Sequence, residues 1–352
     1  MSDNLFEQLF ELFNQPGPVN WRLAEEVAGS LGGDPEPIDP WLADEYAELG
    51  NLALLQTATI ALLPDLAGGR IDPVDRATWV SDNLRAFDYL TEPLGARMGE
   101  QAAMLGPFAG SLVGMQVGSM VGSLGHHALG GFDVALIARS ERGYLIVPNL
   151  ETFITTHGLD AREARLWAAL HEAVHLRLSS IDWIAGHYAD LLGRYLGGIE
   201  VDMSSLTERM QSLADPTAAG EEFGEGFDLT SLLGQSTEEG ARDDAKAVLA
   251  FVAGLRRHLV AGLGDRWLPT LTDIRRAVAV RAGEPDVHAG VSLALPDHDL
   301  IVTAEDFCRD VEERWGPEAF ARVLESAETI PTATELADPV GWAARVLLDP
   351  ID

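Results

Sequence analysis

The stretch LWAALHEAVHLRL, residues 166–178, holds two histidines four positions apart with a glutamate directly after the first. Residues four apart on a helix stand one above the other, so His171 and His175 are spaced to offer both imidazoles to one tetrahedral metal ion. Glu172, one step round the helix, is placed to take a proton from a zinc-bound water and return it to a leaving group while the metal polarises the scissile carbonyl. Asp160, with Glu163 three residues on, supplies a helix start upstream of the pattern, and no proline interrupts the helix from there through His175. The candidate site is therefore Glu172 as catalytic base, with His171 and His175 as ligands of Zn2+.

A catalytic zinc centre takes three protein ligands and keeps one position for water. The extended form HExxHxxGxxH is not met, because Leu178 and Ile181 stand at its glycine and third-histidine positions. His187, in SSIDWIAGHYADLL, is the first candidate for the third ligand, since the chain has room to turn after SSID and return across the helix. Glu200 and Asp202 in GGIEVDM are the local carboxylate alternatives.

Around this motif the periodicity is mostly helical. NWRLAEEVAGSL, WLADEYAELGNLALLQTATIALL and DRATWVSDNLRAFDYLTEPLGARM read as helices, as do AKAVLAFVAGLRRHLVAGL, LPTLTDIRRAVAVRA and a C-terminal stretch broken at Pro317 and Pro331. DVALIARSERGYLIVPN, with β-rich runs on either side of SERG, predicts a hairpin. The fold class expected is mainly α with a small β element. One domain is expected over residues 1–352, with N-terminal helices to 100, a glycine-rich helix and hairpin over 101–150, and the HExxH helix with C-terminal helices over 151–352.

Residues 102–125 carry no charge, and Gly106, Gly110, Gly114, Gly118 and Gly122 recur every fourth position. Such a stripe lets another backbone approach closely. The serines, Gln116 and the glycines themselves dilute its apolarity, so a buried helix is expected here and no membrane span. The start, MSDNLFEQLFELF, reads as an acidic amphipathic helix without the basic region of a secretory signal. The formal charge of −32 repels nucleic acid and anionic lipid. Cys308 is the sole cysteine, which excludes an internal disulfide and suits a reducing compartment, so a cytoplasmic location is expected. Neighbouring carboxylates disfavour Cys308 as a nucleophile.

GPVNWRLAEEVA, RATWVSDNLRAFDYLTEPLGARM, GSLVGMQVGSMVGSLGHHALGGFDVAL, VPNLETF, LHEAVH with IDWIAGH, LPTLTDIRR and ESAETIPTATELADPVGWAARV together resemble the second zincin-like metallopeptidase family. Its members are zinc-dependent hydrolases, one branch of which is associated with deazaflavin-coenzyme biosynthesis. The resemblance implies a zincin-like fold and supports His171, Glu172 and His175 in their roles. It also implies a Glu-Gly-His sequence in the helix before LPTLTDIRR, the glutamate resembling a third zinc ligand. Here that stretch is FVAGLRRH, with Ala253, Gly254 and Leu255 at those positions. The family's lysine, glutamine and tyrosine before the FCRDVEERWG helix are likewise missing from LPDHDLIVTAEDF. Two functions are thereby expected. One is a metallopeptidase-like zinc hydrolase acting on a peptide or small amide, its activity reduced or lost because Ala253 replaces the third ligand. The other is a non-catalytic zincin-fold binding or scaffold protein.

Overall fold

The computed structural model describes residues 17–66, 68–101, 107–134, 142–201, 233–264, 266–283 and 295–348. The N-terminal helix expected over 1–13, the stretch 102–106 with Gly106, and most of the acidic segment after residue 201 lie outside them. The described chain is mainly helical. In order it contains α1 (Trp21–Gly32), α2 (Pro40–Thr57), β1 (Arg70–Val74), α3 (Arg76–Asn83), α4 (Asp88–Gln101), α5 (Pro107–His127), β2 (Arg142–Ile146), α6 (Val147–His157), α7 (Ala161–Ser179), α8 (Asp182–Gly197), β3 (Ile199–Val201), β4 (Leu233–Ser236), α9 (Glu239–Gly262), α10 (Leu271–Ala282), α11 (His298–Ala321) and α12 (Pro339–Leu347). One hydrophobic core draws on residues from Val19 to Val346.

The glycine stripe does what its spacing predicts. α5 lies against α1 so closely that a Cβ on Gly114 would sit 2.3 Å from the Asn20 carbonyl oxygen, and one on Gly118 would sit 2.6 Å from that of Ala24. Asn20 fastens the crossing, its backbone N–H donating to the Gly110 carbonyl at 2.8 Å and its side-chain amide to Ser111 Oγ at 3.0 Å. Among the described residues no helix is long and apolar enough to cross a membrane.

The first arm and turn of the expected hairpin, residues 135–141, lie outside the described residues. Its second arm is β2, which pairs in parallel with β1, from Arg70 opposite Arg142 to Val74 opposite Ile146. On the other edge of β2 the chain at Leu129 and Gly130 runs alongside, with Ile146 N–H donating to the Leu129 carbonyl at 2.9 Å. Gly131–Asp133 form a single 3-10 turn. β1, RIDPV, has a proline at its centre, which disguises it as a loop in the sequence; a proline is tolerated where its missing N–H would face away from the partner strand. The long helix expected from Asp75 is also divided, into α3 and α4 with a turn between. α11 breaks where Pro317 predicts, at Gly316 with φ 83°.

Replacing Gly114 with leucine is expected to separate α5 from α1 and to cost at least about 1–3 kcal/mol by overpacking. Thermal or urea unfolding measures this, and an unchanged midpoint would contradict the close crossing.

Candidate functional site

α7 carries the histidine pair, and every residue of it from Glu163 to Leu178 is buried. The start foreseen in the sequence is present, with Asp160 accepting the Glu163 backbone N–H at 2.9 Å. Two arginines hold the helix in place. Arg165 donates to Glu151 on α6 at 2.7 and 2.8 Å and to Glu45 on α2 at 2.8 Å. Near the other end Arg177 reaches the Pro64 carbonyl at 2.8 Å and Thr57 Oγ1 at 3.3 Å. Both ends of α7 are thus tied to the α2 side of the core, which fixes the rotation of the helix and hence where its histidines lie.

Glu172 points into a cradle of backbone amides. Its Oε1 accepts the Tyr144 N–H from the edge of β2 at 2.7 Å, and its Oε2 accepts the Phe132 N–H from the 3-10 turn at 2.7 Å. Two glycines make the room. A Cβ on Gly131 would lie 2.8 Å from Glu172 Oε1, and one on Gly143 would lie 2.9 Å from Glu172 Cγ. Burial is the main influence on this carboxyl and pushes its pKa up to about 7, against the pull of the Tyr144 and Phe132 amides and of Arg256.

The His171 ring stacks beside Trp167 and Phe132, with ring centres 4.8 and 5.5 Å away. Its Nδ1 accepts a hydrogen bond from Arg256 Nε on α9 at 3.3 Å. The Arg256 guanidinium also lies over the Phe132 ring, 5.6 Å from its centre. Burial holds His171 well below the usual histidine range, helped by Arg256, and burial with Arg256 takes His175 down to about 3, so both rings are neutral at neutral pH. Burial lowers Arg256 itself to about 10, with Asp133 and Glu172 opposing the fall, so it stays a cation at neutral pH. His175 Nε2 lies 3.4 Å from Ser179 Oγ, and its buried Nδ1 has no hydrogen-bond partner among the described residues.

The structure brings His171, Glu172 and His175 together on α7 but adds no third donor among the described residues, where no three His, Cys, Asp or Glu side chains converge to hold a metal ion. His187 is on α8, half-buried, and the charges that act on it are those of Arg194, Asp190, Asp244 and Glu328. It does not join the pair. The turn after SSID starts α8 at Asp182 and carries His187 along a separate helix. Asp202 and the side chain of Glu200 lie outside the described residues.

Three properties of the donor set disagree with zinc. Among the described residues two imidazoles fall one short of a catalytic set. A neutral imidazole has a single lone pair, and Arg256 takes that of His171 at Nδ1, which puts the ring proton on Nε2 and leaves neither nitrogen free for a metal. A permanent cation already lies against the ring, and like unit charges about 4 Å apart repel by roughly 4 kcal/mol at an effective dielectric of about 20, doubled for a dication. Arg256 carries no signal as a catalytic residue in the sequence. Its mark there is that it interrupts an apolar i, i+4 row, Val252 to Val260, where a solvated arginine would be out of place.

Because both Glu172 oxygens accept amides, Glu172→Gln should put an NH2 group against an N–H and lose about 1–3 kcal/mol of folding stability. Equilibrium urea unfolding checks this; unaltered stability would mean that the carboxylate is free of the cradle.

A family model described as zincin-like metallopeptidase matches residues 19–343. No curated protein matches the chain. The crystal structure of a protein from Chloroflexus aurantiacus, proposed to be a hydrolase with a novel fold, superposes with a TM-score of 0.66 at 22% identity, covering 94% of this chain and 99% of that one. At that identity the likeness concerns the fold. The HExxH helix, the buried setting around it and a family match running through nearly all of the chain lead to one conclusion: the protein belongs to the zincin-like metallopeptidase family.

Proposed function

We propose that this protein is a zincin-fold relative of metallopeptidases that has kept the HExxH helix as architecture and does not hydrolyse peptides or amides through zinc at His171 and His175. The observation that carries the reading is the state of Glu172. A general base has to be free to receive a proton from water within hydrogen-bond reach. Here each carboxylate oxygen accepts one backbone amide, from Phe132 and from Tyr144, so the group is held as a tie between α7 and the edge of β2. Ala253, at the position where the family resemblance implies a glutamate, supports the same reading, because a methyl group cannot bind a metal. The role left to such a fold is binding, and a peptide or small amide is the ligand class that the ancestry favours.

A second reading is favoured by one atom. The buried His175 Nδ1 lacks a hydrogen-bond partner among the described residues, and a buried orphan nitrogen invites a ligand. In this reading the protein is a zinc hydrolase of peptide or amide bonds, with Glu172 as base and a third ligand from Glu200, Asp202 or a more distant carboxylate.

The two readings separate in a turnover assay. Wild type and His175→Ala are incubated with added zinc and either an unfolded protein substrate or a mixed peptide pool, and products are read by mass spectrometry. The proposal expects no cleavage above the level of the variant. Cleavage that the variant or a chelator abolishes would establish the zinc hydrolase instead.

A further inference from the structure

The cation at the centre of the site is an arginine. Gly254 faces α11, where a Cβ would lie only 2.5 Å from the Glu305 backbone nitrogen, so α9 is pressed against α11 along that side. Arg256 stands two positions later, which on a helix is roughly the opposite face, and this turns its side chain toward α7. Ala253 is one turn before Arg256, so the position lacking a ligand and the position supplying the guanidinium lie on the same flank of α9.

We propose that the Arg256 guanidinium takes the place of a metal ion at the His171–His175 pair, a built-in monovalent cation that occupies the imidazole lone pair and bars divalent metals. This rests on the reading that the pair runs no zinc chemistry, and it supplies a cause beyond a missing ligand. The guanidinium meets the conditions that a metal would meet here. It binds His171 through nitrogen at 3.3 Å, it is buried, and it puts a positive charge near the buried Glu172 and the half-buried Asp133. Among the described residues it forms no salt bridge of its own, so those charges act on it through space. An arginine serves better than a lysine in this position, because its charge is spread over a plane that can lie on the Phe132 ring while Nε points at His171.

The test compares zinc and cobalt binding by wild type, Ala253→Glu and the double variant Ala253→Glu/Arg256→Ala, by calorimetry and by the visible absorption of bound Co2+. Ala253→Glu alone should gain little, because the guanidinium still holds the His171 lone pair. The double variant frees that lone pair while supplying the carboxylate, and should bind zinc at least about a hundredfold more tightly than Ala253→Glu, with a tetrahedral Co2+ spectrum. If Arg256→Ala prevents folding, Arg256→Met in the same background fills the space without the charge and should give the same gain. Equal affinity with and without Arg256 would overturn the inference while leaving the proposed function standing. Stoichiometric, tight zinc in the wild type would overturn both.

Discussion

The bond pair between the Glu172 carboxylate and the amides of Phe132 and Tyr144 is the joint on which the rest of the site depends. β2 has β1 on one edge, and its other edge has to be satisfied by something other than a strand. The chain at Leu129 satisfies it at Ile146, and Glu172 satisfies it at Tyr144. A side chain on α7 thus completes a sheet edge, and Gly131 and Gly143 are small because the carboxylate fills the space that their Cβ atoms would take. The same joint holds Phe132 over His171 and under Arg256, so the aromatic ring, the imidazole and the guanidinium are placed together.

This joint sets the chemistry of the centre through charge. A buried carboxylate needs positive charge nearby, and in a zinc hydrolase the metal provides it. Here α9 provides it through Arg256. Burial keeps His171 and His175 neutral, and one of them spends its only lone pair on the guanidinium. Cys308, the other residue with nucleophilic potential, is fully buried in the core, and burial with Glu305 and Glu312 pushes its thiol well above its usual range. It is a packing residue.

Much of this fold was legible in the sequence because its signals are local. The Asp160 cap, the α7 period and the break at Pro317 each depend on residues a few positions apart. The glycine stripe was legible too, since only a close helix partner compensates for so many glycines. What was not legible depends on distant pairing. Nothing near SERG says that β2 pairs with a proline-containing strand some seventy residues earlier, and parallel pairing leaves no turn signature. Histidine spacing likewise placed the pair on one helix, yet the identity of whatever faces it is set by α9, far along the chain. His187 was a reasonable local candidate by side-chain type, but the start of α8 at Asp182 sends it along another helix. Arg256 sits in LRRH, which resembles an ordinary basic surface, and only the row of apolar residues around it marks it as buried.

Which nitrogen of His171 carries the proton decides whether Arg256 holds the centre. Long-range 1H–15N correlation of the imidazoles, with the His171 signals assigned by comparison with His171→Gln, reads this directly at neutral pH. A neutral ring protonated at Nε2, with Nδ1 accepting and its signals unmoved by an equivalent of zinc, is the predicted result. A ring protonated at Nδ1, or one whose nitrogen signals shift on adding zinc, would contradict the arginine-held centre.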